Sequence, residues 1–419
     1  MGERLVVVGQ GYVGLPLAVS AVEAGFDVVG IDVDEWRVKR LNAAESYIED
    51  VDDRTLEDTR ASGRYRASTC YAQAERFDFC VITVPTPLRD GVPDLTHVTD
   101  AGRRIAPLLR PGALVVLEST TYPGTTEEHL RGLLEEGSGL RACEDFLLGY
   151  SPERIDPGNG RWHLENTPKV VSGVDPASLR AVRAFYERIV HQTVAVSSPR
   201  VAELCKLLEN TFRHVNIALV NELSVFAHQL GIDVWEAIDA ASTKPFGYMR
   251  FTPGPGVGGH CLPVDPSYLS WKVKRSLGHN FRFVELANDI NAQMPAHVVH
   301  RLTLALNRLG KPVSQSRVLL LGLAYKKNTG DIRESPAIEV TRALSRLGAD
   351  LRVADPHVES HPLPAGVMMV EPTAWELAQA DAVVILTDHD RFDYELVQRA
   401  SGFVFDTRNR CRGPNVERL

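Results

Sequence analysis

The chain has little that would suit it to a membrane or to an oxidising compartment. No apolar run reaches the roughly 18–20 residues that a bilayer-spanning helix needs. The opening MGERLVVVGQG carries an apolar run too short for a secretory leader, and a glycine pattern follows where a cleavage site would stand. The six cysteines (Cys70, Cys80, Cys143, Cys205, Cys261 and Cys411) are scattered without paired spacing. Reduced thiols in a cytoplasmic protein are therefore expected, not a disulfide frame. CxxC and HExxH spacings are lacking too, and no metal is expected. Basic residues are not in excess: 46 Lys and Arg stand against 54 Asp and Glu, a net charge of −8. That balance argues against nucleic acid and against an anionic membrane surface as partners.

What is present is a long and ordinary globular composition. The 419 residues are too many for one hydrophobic core, and 44% are hydrophobic. From residue 4 onward, β-branched runs alternate with helical spacing: RLVVV, FDVVGIDVD, FDFCVITVPTP, ALVVLESTTYPG, VVSGVD and HQTVAVSS. This alternation predicts an α/β domain built on a parallel, doubly wound sheet. PRVAELCKLLENTFRHVNIALVNELSVFAHQLGI then reads as one long helix, with Gly231 near its stop. The α/β alternation returns in SRVLLLGLAYK, DLRVADP, DAVVILTDH and GFVFDTRN. The expected fold is α/β: two Rossmann-like doubly wound domains joined by a central helical region with a long spine helix. The expected boundaries are 1–198, 199–311 and 312–419, with CRGPNVERL as a loose tail.

Gly9-Gln10-Gly11-Tyr12-Val13-Gly14 fits GxGxxG, follows a strand and opens a helix, and Asp32 ends the next strand. Gly9 permits the tight turn, Gly11 lets backbone approach a pyrophosphate, and Gly14 lets helix and strand pack closely. Asp32 suits the ribose hydroxyls of NAD. Arg37 is read either as a group for a 2′-phosphate or as lining on the adenine side. Thr86 and Thr120 each follow a buried strand, where such sheets bind ligands, and are read either as cofactor contacts or as ordinary turn residues.

Lys206 and Asn210 lie four apart on the long helix, with Arg213 toward the same side. Alone they fit a solvated stripe. The stretch GVGGHCLPVD changes that reading, because it sets Cys261 and Asp265 on a glycine-rich loop. A thiolate beside an NAD site suits the capture of an aldehyde as a thiohemiacetal, its oxidation to a thioester and hydrolysis to an acid. Lys206 and Asn210 would serve the developing oxyanion, and Asp265 a proton. His260 is read as structural. Gly256, Gly258 and Gly259 are read as leaving room for substrate beside the thiol, and the segment around Phe246 and Tyr248 as a candidate closing loop.

These residues resemble the UDP-glucose/GDP-mannose dehydrogenase family. The likeness covers nearly the whole chain through GQGYVGLPLA, VPTPL, ESTTYPGTT, YSPERIDPGN, AELCKLLENTFRHVNIALVNELS, PGPGVGGHCLPVDP and GLAYKKNTGDIRESPA. It implies a homodimer of three-domain chains that oxidises the C6 alcohol of a nucleotide sugar to a uronate with two NAD. By that resemblance Cys261 is the nucleophile, and Lys206 and Asn210 stabilise the oxyanion. Asp265 lies near the reacting carbon, and Thr120 and Glu153 order the water. Arg154, Ile155, Arg213, Tyr325 and Lys326 meet the nucleotide sugar, and Arg333 meets the NAD phosphates. SPERIDPGN stands where UDP-glucose enzymes resemble SPEFLREG, and the second glutamate is missing. That departure favours UDP-N-acetylglucosamine or UDP-N-acetylmannosamine as substrate over UDP-glucose or TDP-glucose. An epimerase would need a Tyr-x-x-x-Lys pair, and none is well placed. A vestigial NAD sensor would have lost some of Lys206, Asn210, Cys261 and Asp265, and all are present.

Overall fold

The computed structural model describes residues 2–48, 50–156, 159–259, 262–358 and 363–419. The chain divides into two compact units, Met1–Glu209 with Ser267–His279, and Asn210–Pro266 with Asn280–Leu419.

In the first unit the β-branched runs become Arg4–Val8 (β1), Asp27–Ile31 (β2), Tyr65–Ser68 (β3) and Phe79–Ile82 (β4). A short hairpin of Leu88–Arg89 (β5) and Val92–Pro93 (β6) follows. Leu114–Leu117 (β7), Leu147–Tyr150 (β8), Lys169–Gly173 (β9) and Thr193–Ala195 (β10) complete the set. The sheet runs β10-β9-β8-β7-β4-β1-β2-β3. Alternate residues feed opposite faces: Leu5, Val7, Val28 and Val81 enter one core, while Val6, Val8, Val29 and Ile82 enter the other. Each such buried side chain is worth about 1.5–3 kcal/mol. The register sets Ile31, Val8, Ile82, Leu117 and Tyr150 level with one another. The chain therefore leaves five parallel strands along one edge, where doubly wound sheets bind ligands.

One pair departs from the expected parallel sheet. β8 and β9 are antiparallel, with Tyr150 opposite Ser172. A parallel step needs a crossover, usually a helix. The segment 151–168 forms none among its described residues, so the chain turns back on itself.

In the second unit Arg317–Leu321 (β11), Asp350–Ala354 (β12), Met368–Met369 (β13), Ala382–Ile385 (β14), Val404–Asp406 (β15) and Val416–Arg418 (β16) form one parallel sheet. Its order is β13-β12-β11-β14-β15-β16. The helix Arg282–Arg308 packs Met294, Val298, Leu302 and Leu306 on one face, and Leu319, Leu321, Val383 and Ile385 fill the other. The expected loose tail is instead the edge strand β16. Glu417 receives Arg301 at 2.8 Å, Leu419 O accepts from Trp235 Nε1 at 3.0 Å, and Leu419 itself is buried. Asn, Val and Glu after Gly413 hid a strand too short to show a period.

The long helix is Pro199–Gln229, 31 residues, and Gly231 follows it at φ +70°. A further helix, Asp265–Leu277, begins on a residue of the glycine loop. Its Lys272, Lys274 and Arg275 interrupt the apolar spacing that would have announced it. No described helix is long and apolar enough to cross a membrane.

Candidate active site

The first unit builds the glycine turn in detail. Gly9 has φ +95°, and its N–H donates to Ile31 O at 2.7 Å. A Cβ on Gly14 would stand 1.8 Å from Gly9 O, so that position admits glycine alone. A Cβ on Gly11 would meet only Arg37 Nη1, at 3.9 Å. Gly11 is thus free of internal crowding, which leaves the constraint to a ligand. Val13 caps the helix Gly14–Glu23 without a side-chain hydrogen bond. In the first turn Leu15 N and Leu17 N donate to Gly11 O and Val13 O, and Pro16 has no N–H, so of the first-turn positions Gly14 N keeps its capacity for an anion. Asp32 Oδ2 accepts from Gln10 N at 2.8 Å and Oδ1 from Asp34 N at 3.0 Å. Arg37 Nη1 stands 3.5 Å from Asp32, and its guanidinium 5.7 Å from the Tyr47 ring. Arg37 is thereby tied to the acidic residue. Tyr12 packs partly buried against the core, while Thr83, which sequence reading passed over, closes the turn by donating to Gly9 O at 2.9 Å.

Further along the same edge, Thr86 is buried and Thr120 half-buried. The turn after β7 is fixed from the long helix: Glu203 accepts from Gly124 N at 2.6 Å, Thr126 N at 2.9 Å and Thr126 Oγ1 at 2.8 Å. Burial pushes the Glu203 carboxyl up to about 7. Glu153 is buried; its Oε1 accepts from Ile155 N, and its backbone O accepts from Lys206 Nζ. Lys206 is 8% exposed, which excludes the solvated-stripe reading. Arg154 donates to Pro168 O at 2.6 Å and pairs with Glu209. Three residues that sequence reading did not single out stand behind Glu153. Lys169 Nζ lies 3.5 Å from Glu153 Oε2 and 2.6 Å from Glu118 Oε1, and Tyr186 donates to that same Glu118 oxygen at 2.5 Å.

In the second unit Asn210 Nδ2 donates to Asp265 Oδ2 at 2.6 Å, and both residues are buried. Arg213 is exposed on its helix. Cys261 and His260 lie outside the described residues. The loop glycines have a constraint within the fold that the sequence did not show. A Cβ on Gly256 would reach Pro336 at 3.0 Å; on Gly258, Glu334 O at 2.6 Å; on Gly259, the Tyr325 ring at 2.7 Å. The segment 325–336 of the same unit already excludes side chains there. Gly259 N donates to Arg333 O at 2.8 Å, which joins the two segments. Arg333 itself pairs with Asp331 at 2.6 Å. Phe246 is exposed, with Lys244 Nζ 4.9 Å from its ring, and Tyr248 is exposed as well.

Tyr325 and Lys326 follow β11 at the position equivalent to the glycine turn. Gly322 N donates to Ala354 O at 2.8 Å, as Gly9 does to Ile31. Asp355 then stands where Asp32 stands in the first sheet, but its oxygens are filled. Leu323 N (2.7 Å), Ala324 N (3.0 Å), His389 Nε2 (3.0 Å), His357 N (2.9 Å) and Val358 N (3.2 Å) all donate to it. Asn328 N donates to His389 Nδ1 at 2.9 Å, so the imidazole proton sits on Nε2. Burial raises the Asp355 carboxyl, and the His389 and backbone donors outweigh it and bring it down to about 2. A carboxylate so saturated has no acceptor left for a ribose, and only the first sheet retains the dinucleotide arrangement.

An NAD turn, buried polar groups along its sheet edge and a second, altered nucleotide fold define a nucleotide-dependent dehydrogenase. Three family models agree. They describe the NAD binding domain, the central domain and the UDP binding domain of the UDP-glucose/GDP-mannose dehydrogenase family, over residues 3–190, 200–293 and 319–413. The UDP-N-acetyl-D-mannosamine dehydrogenase of Pyrococcus horikoshii is 36% identical over 99% of this chain and 97% of its own. The solved structure of that name superposes with a TM-score of 0.91, covering 100% of this chain and 99% of the other. An NDP-N-acetyl-D-galactosaminuronic acid dehydrogenase from Ralstonia solanacearum is 38% identical over 96% of this chain and 95% of its own. A UDP-N-acetyl-D-glucosamine 6-dehydrogenase from Pseudomonas aeruginosa is 38% identical over 85% of this chain and 83% of its own. The chain belongs to the UDP-glucose/GDP-mannose dehydrogenase family. It is an NAD-dependent nucleotide-sugar 6-dehydrogenase, an oxidoreductase.

Proposed function

We propose that the protein oxidises the C6 alcohol of a UDP-N-acetylhexosamine, UDP-N-acetylglucosamine or UDP-N-acetylmannosamine, to the uronic acid through a covalent intermediate on Cys261. The observation that carries the reading is the buried Asn210–Asp265 hydrogen bond at 2.6 Å, because Asp265 follows Cys261 by four residues on the glycine loop. N-acetylated sugars in the names of all three relatives support the substrate class over glucose.

NAD, when bound, supplies hydride acceptance, once for the alcohol and once for the captured aldehyde. The chain supplies the rest. Gly9, Gly11, Tyr12, Val13 and Gly14 seat the dinucleotide, with Asp32 on the ribose and Arg37, Thr86, Thr120 and Arg333 around it. The Cys261 thiolate adds to the aldehyde carbon, and the oxygen takes up a proton to give the thiohemiacetal. Oxidation then gives the thioester. Water attacks the thioester carbon, the C–S bond breaks, and the thiol and the carboxylate are released. Lys206 and the Asn210 amide steady the oxyanion, Asp265 orients Asn210 and moves a proton, and Glu153 with Thr120 orders the water. Arg154, Ile155, Arg213, Phe246, Tyr248, Gly258, Tyr325 and Lys326 surround the nucleotide sugar.

The working organisation has an NAD domain over 1–198, a central catalytic and dimerisation region over 199–311 and a UDP-sugar domain over 312–419. The matched family segments support it. An exposed apolar stripe on the long helix supports a homodimer. The reduced cysteines fit the cytoplasm, and uronic acids of this kind fit polysaccharide biosynthesis.

NADH formation should be followed in parallel with UDP-N-acetylglucosamine, UDP-N-acetylmannosamine, UDP-glucose and TDP-glucose. We expect two NADH per sugar and a preference for an acetamido sugar. A preference for a glucose nucleotide overturns the substrate, and one NADH per sugar overturns the four-electron reaction. Cys261→Ser is expected to bind both ligands and lose turnover; wild-type rates there would overturn the covalent route. Asn210→Ala should cost about 10²–10³ in kcat, as loss of one oxyanion donor does.

A further inference from the structure

We propose that Lys169 is a positioning residue for the reaction: it sets a positive charge beside the Glu153 carboxylate and aims it, and is itself held by Glu118 and Tyr186. The proposal rests on the reading that Glu153 orders the hydrolytic water.

The antiparallel step is what makes the arrangement. β9 enters the sheet against the direction of β8, so its first residue, Lys169, arrives at the edge where β7 and β8 end. Had β9 run parallel, Lys169 would stand at the opposite edge. Ser151 Oγ donates to Val170 O at 2.7 Å, which pins the segment leading to Glu153 against the start of β9. Lys169 Nζ then lies 2.6 Å from Glu118 and 3.5 Å from Glu153. It also lies 5.2 Å from the centre of the Tyr186 ring.

The charge balance explains why this lysine matters. Glu153 is buried, and a charge taken out of water needs a partner of opposite sign or hydrogen-bond donors beside it. Lys206 reaches Glu153 through its backbone oxygen, not its carboxylate. Arg154, the next residue, is taken by Glu209 and Pro168 O. Lys169 is the cation within 4 Å of the Glu153 carboxylate among the described residues. Burial works against the Lys169 ammonium, but Glu118 and Glu153 outweigh it and hold the lysine charged. Tyr186, hydrogen-bonded to Glu118 at 2.5 Å, fixes the far end. Glu118 Oε2 and Lys169 Nζ are both buried without a hydrogen-bond partner, so the lysine is held by the ion pair to Glu118 Oε1, the oxygen that Tyr186 also bonds. Glu153 therefore joins two lysines: one acts on its charge, the other on its backbone.

The test uses the full-length enzyme with NAD and the sugar nucleotide that the four-substrate assay shows to be turned over fastest. The variants are Lys169→Met, Lys169→Arg, Glu153→Gln and the double Lys169→Met/Glu153→Gln. Lys169→Met is expected to lower kcat at least about tenfold and move the acid limb of its pH profile up by about one unit, the size of one lost charge interaction. KM for both substrates should change less than about threefold, since Lys169 touches neither. Lys169→Arg should restore the limb. In the Glu153→Gln background the Met substitution should cost less than about twofold, because coupled residues do not lose independently. A slow Glu153→Gln whose loss multiplies fully with that of Lys169→Met overturns the proposal alone. A wild-type kcat in Glu153→Gln overturns the reading of Glu153 beneath it. If Lys169→Met fails to fold, the limb in Lys169→Arg and Glu118→Gln decides: an unmoved limb in Glu118→Gln with a displaced one in Lys169→Arg overturns the proposal.

Discussion

Gly11 and Gly14 stand three residues apart in one turn and are held to glycine by different constraints. Gly14→Ala would drive a methyl to within 1.8 Å of a backbone oxygen. It should cost the first unit about 3 kcal/mol or more, the upper range for overpacking, read as a lowered unfolding midpoint. Gly11→Ala meets nothing closer than 3.9 Å. It should fold with a native midpoint and still bind NAD at least about tenfold more weakly, roughly 1.4 kcal/mol; unchanged binding in that variant would remove Gly11 from the site. The sequence pattern marked both positions. It did not separate their causes, because a motif records which residue is tolerated and not what stands beside it. The loop glycines make the same point in reverse. Their pattern read as space for a substrate, whereas Tyr325, Glu334 and Pro336 by themselves leave no room for a Cβ.

At the scale of an element, the long helix carries two kinds of information. That Lys206 and Asn210 share one face was legible from their spacing; that the face is buried was not, because the same spacing fits a solvated stripe. Its other face bears Phe212, Leu219, Leu223 and Phe226, all exposed and spaced three, four or seven apart. Such a stripe costs free energy in water unless another surface covers it. Leu223→Glu should therefore shift the sedimentation coefficient to that of a monomer at micromolar protein, with the helix content by circular dichroism unchanged. A monomeric wild type would remove the stripe's explanation. β9 shows the limit at this scale. VVSG reads as a strand from composition, but strand direction depends on the connection before it, and 151–168 has no period to announce whether it crosses over or turns back.

At the scale of the whole molecule, one nucleotide fold appears twice, with Gly9 and Asp32 answered by Gly322 and Asp355. The repeat was visible as a return of the α/β alternation. What separates the two is that five donors fill Asp355, and those come from residues 323 to 389, far apart in the chain. The C-terminal strand is also a long-range matter. Arg301 is buried with Glu417 as its partner, so deleting residues 415–419 leaves an uncompensated buried charge. We expect a loss of about 3–5 kcal/mol, measured as the thermal midpoint of the second unit; an unchanged midpoint would restore the loose-tail reading. The sequence alone determined the alternation of strands and helices, the NAD turn and the spine helix, and it put forward Lys206, Asn210, Cys261 and Asp265 as candidates. These follow from local rules: period, turn chemistry and the residue types that a reaction requires. Only the tertiary structure decided the reversal of β9, the pairing of Lys169 with Glu118 and Glu153, the filling of Asp355 and the crowding at the loop glycines. Each depends on contacts between segments distant in sequence, which no local pattern encodes.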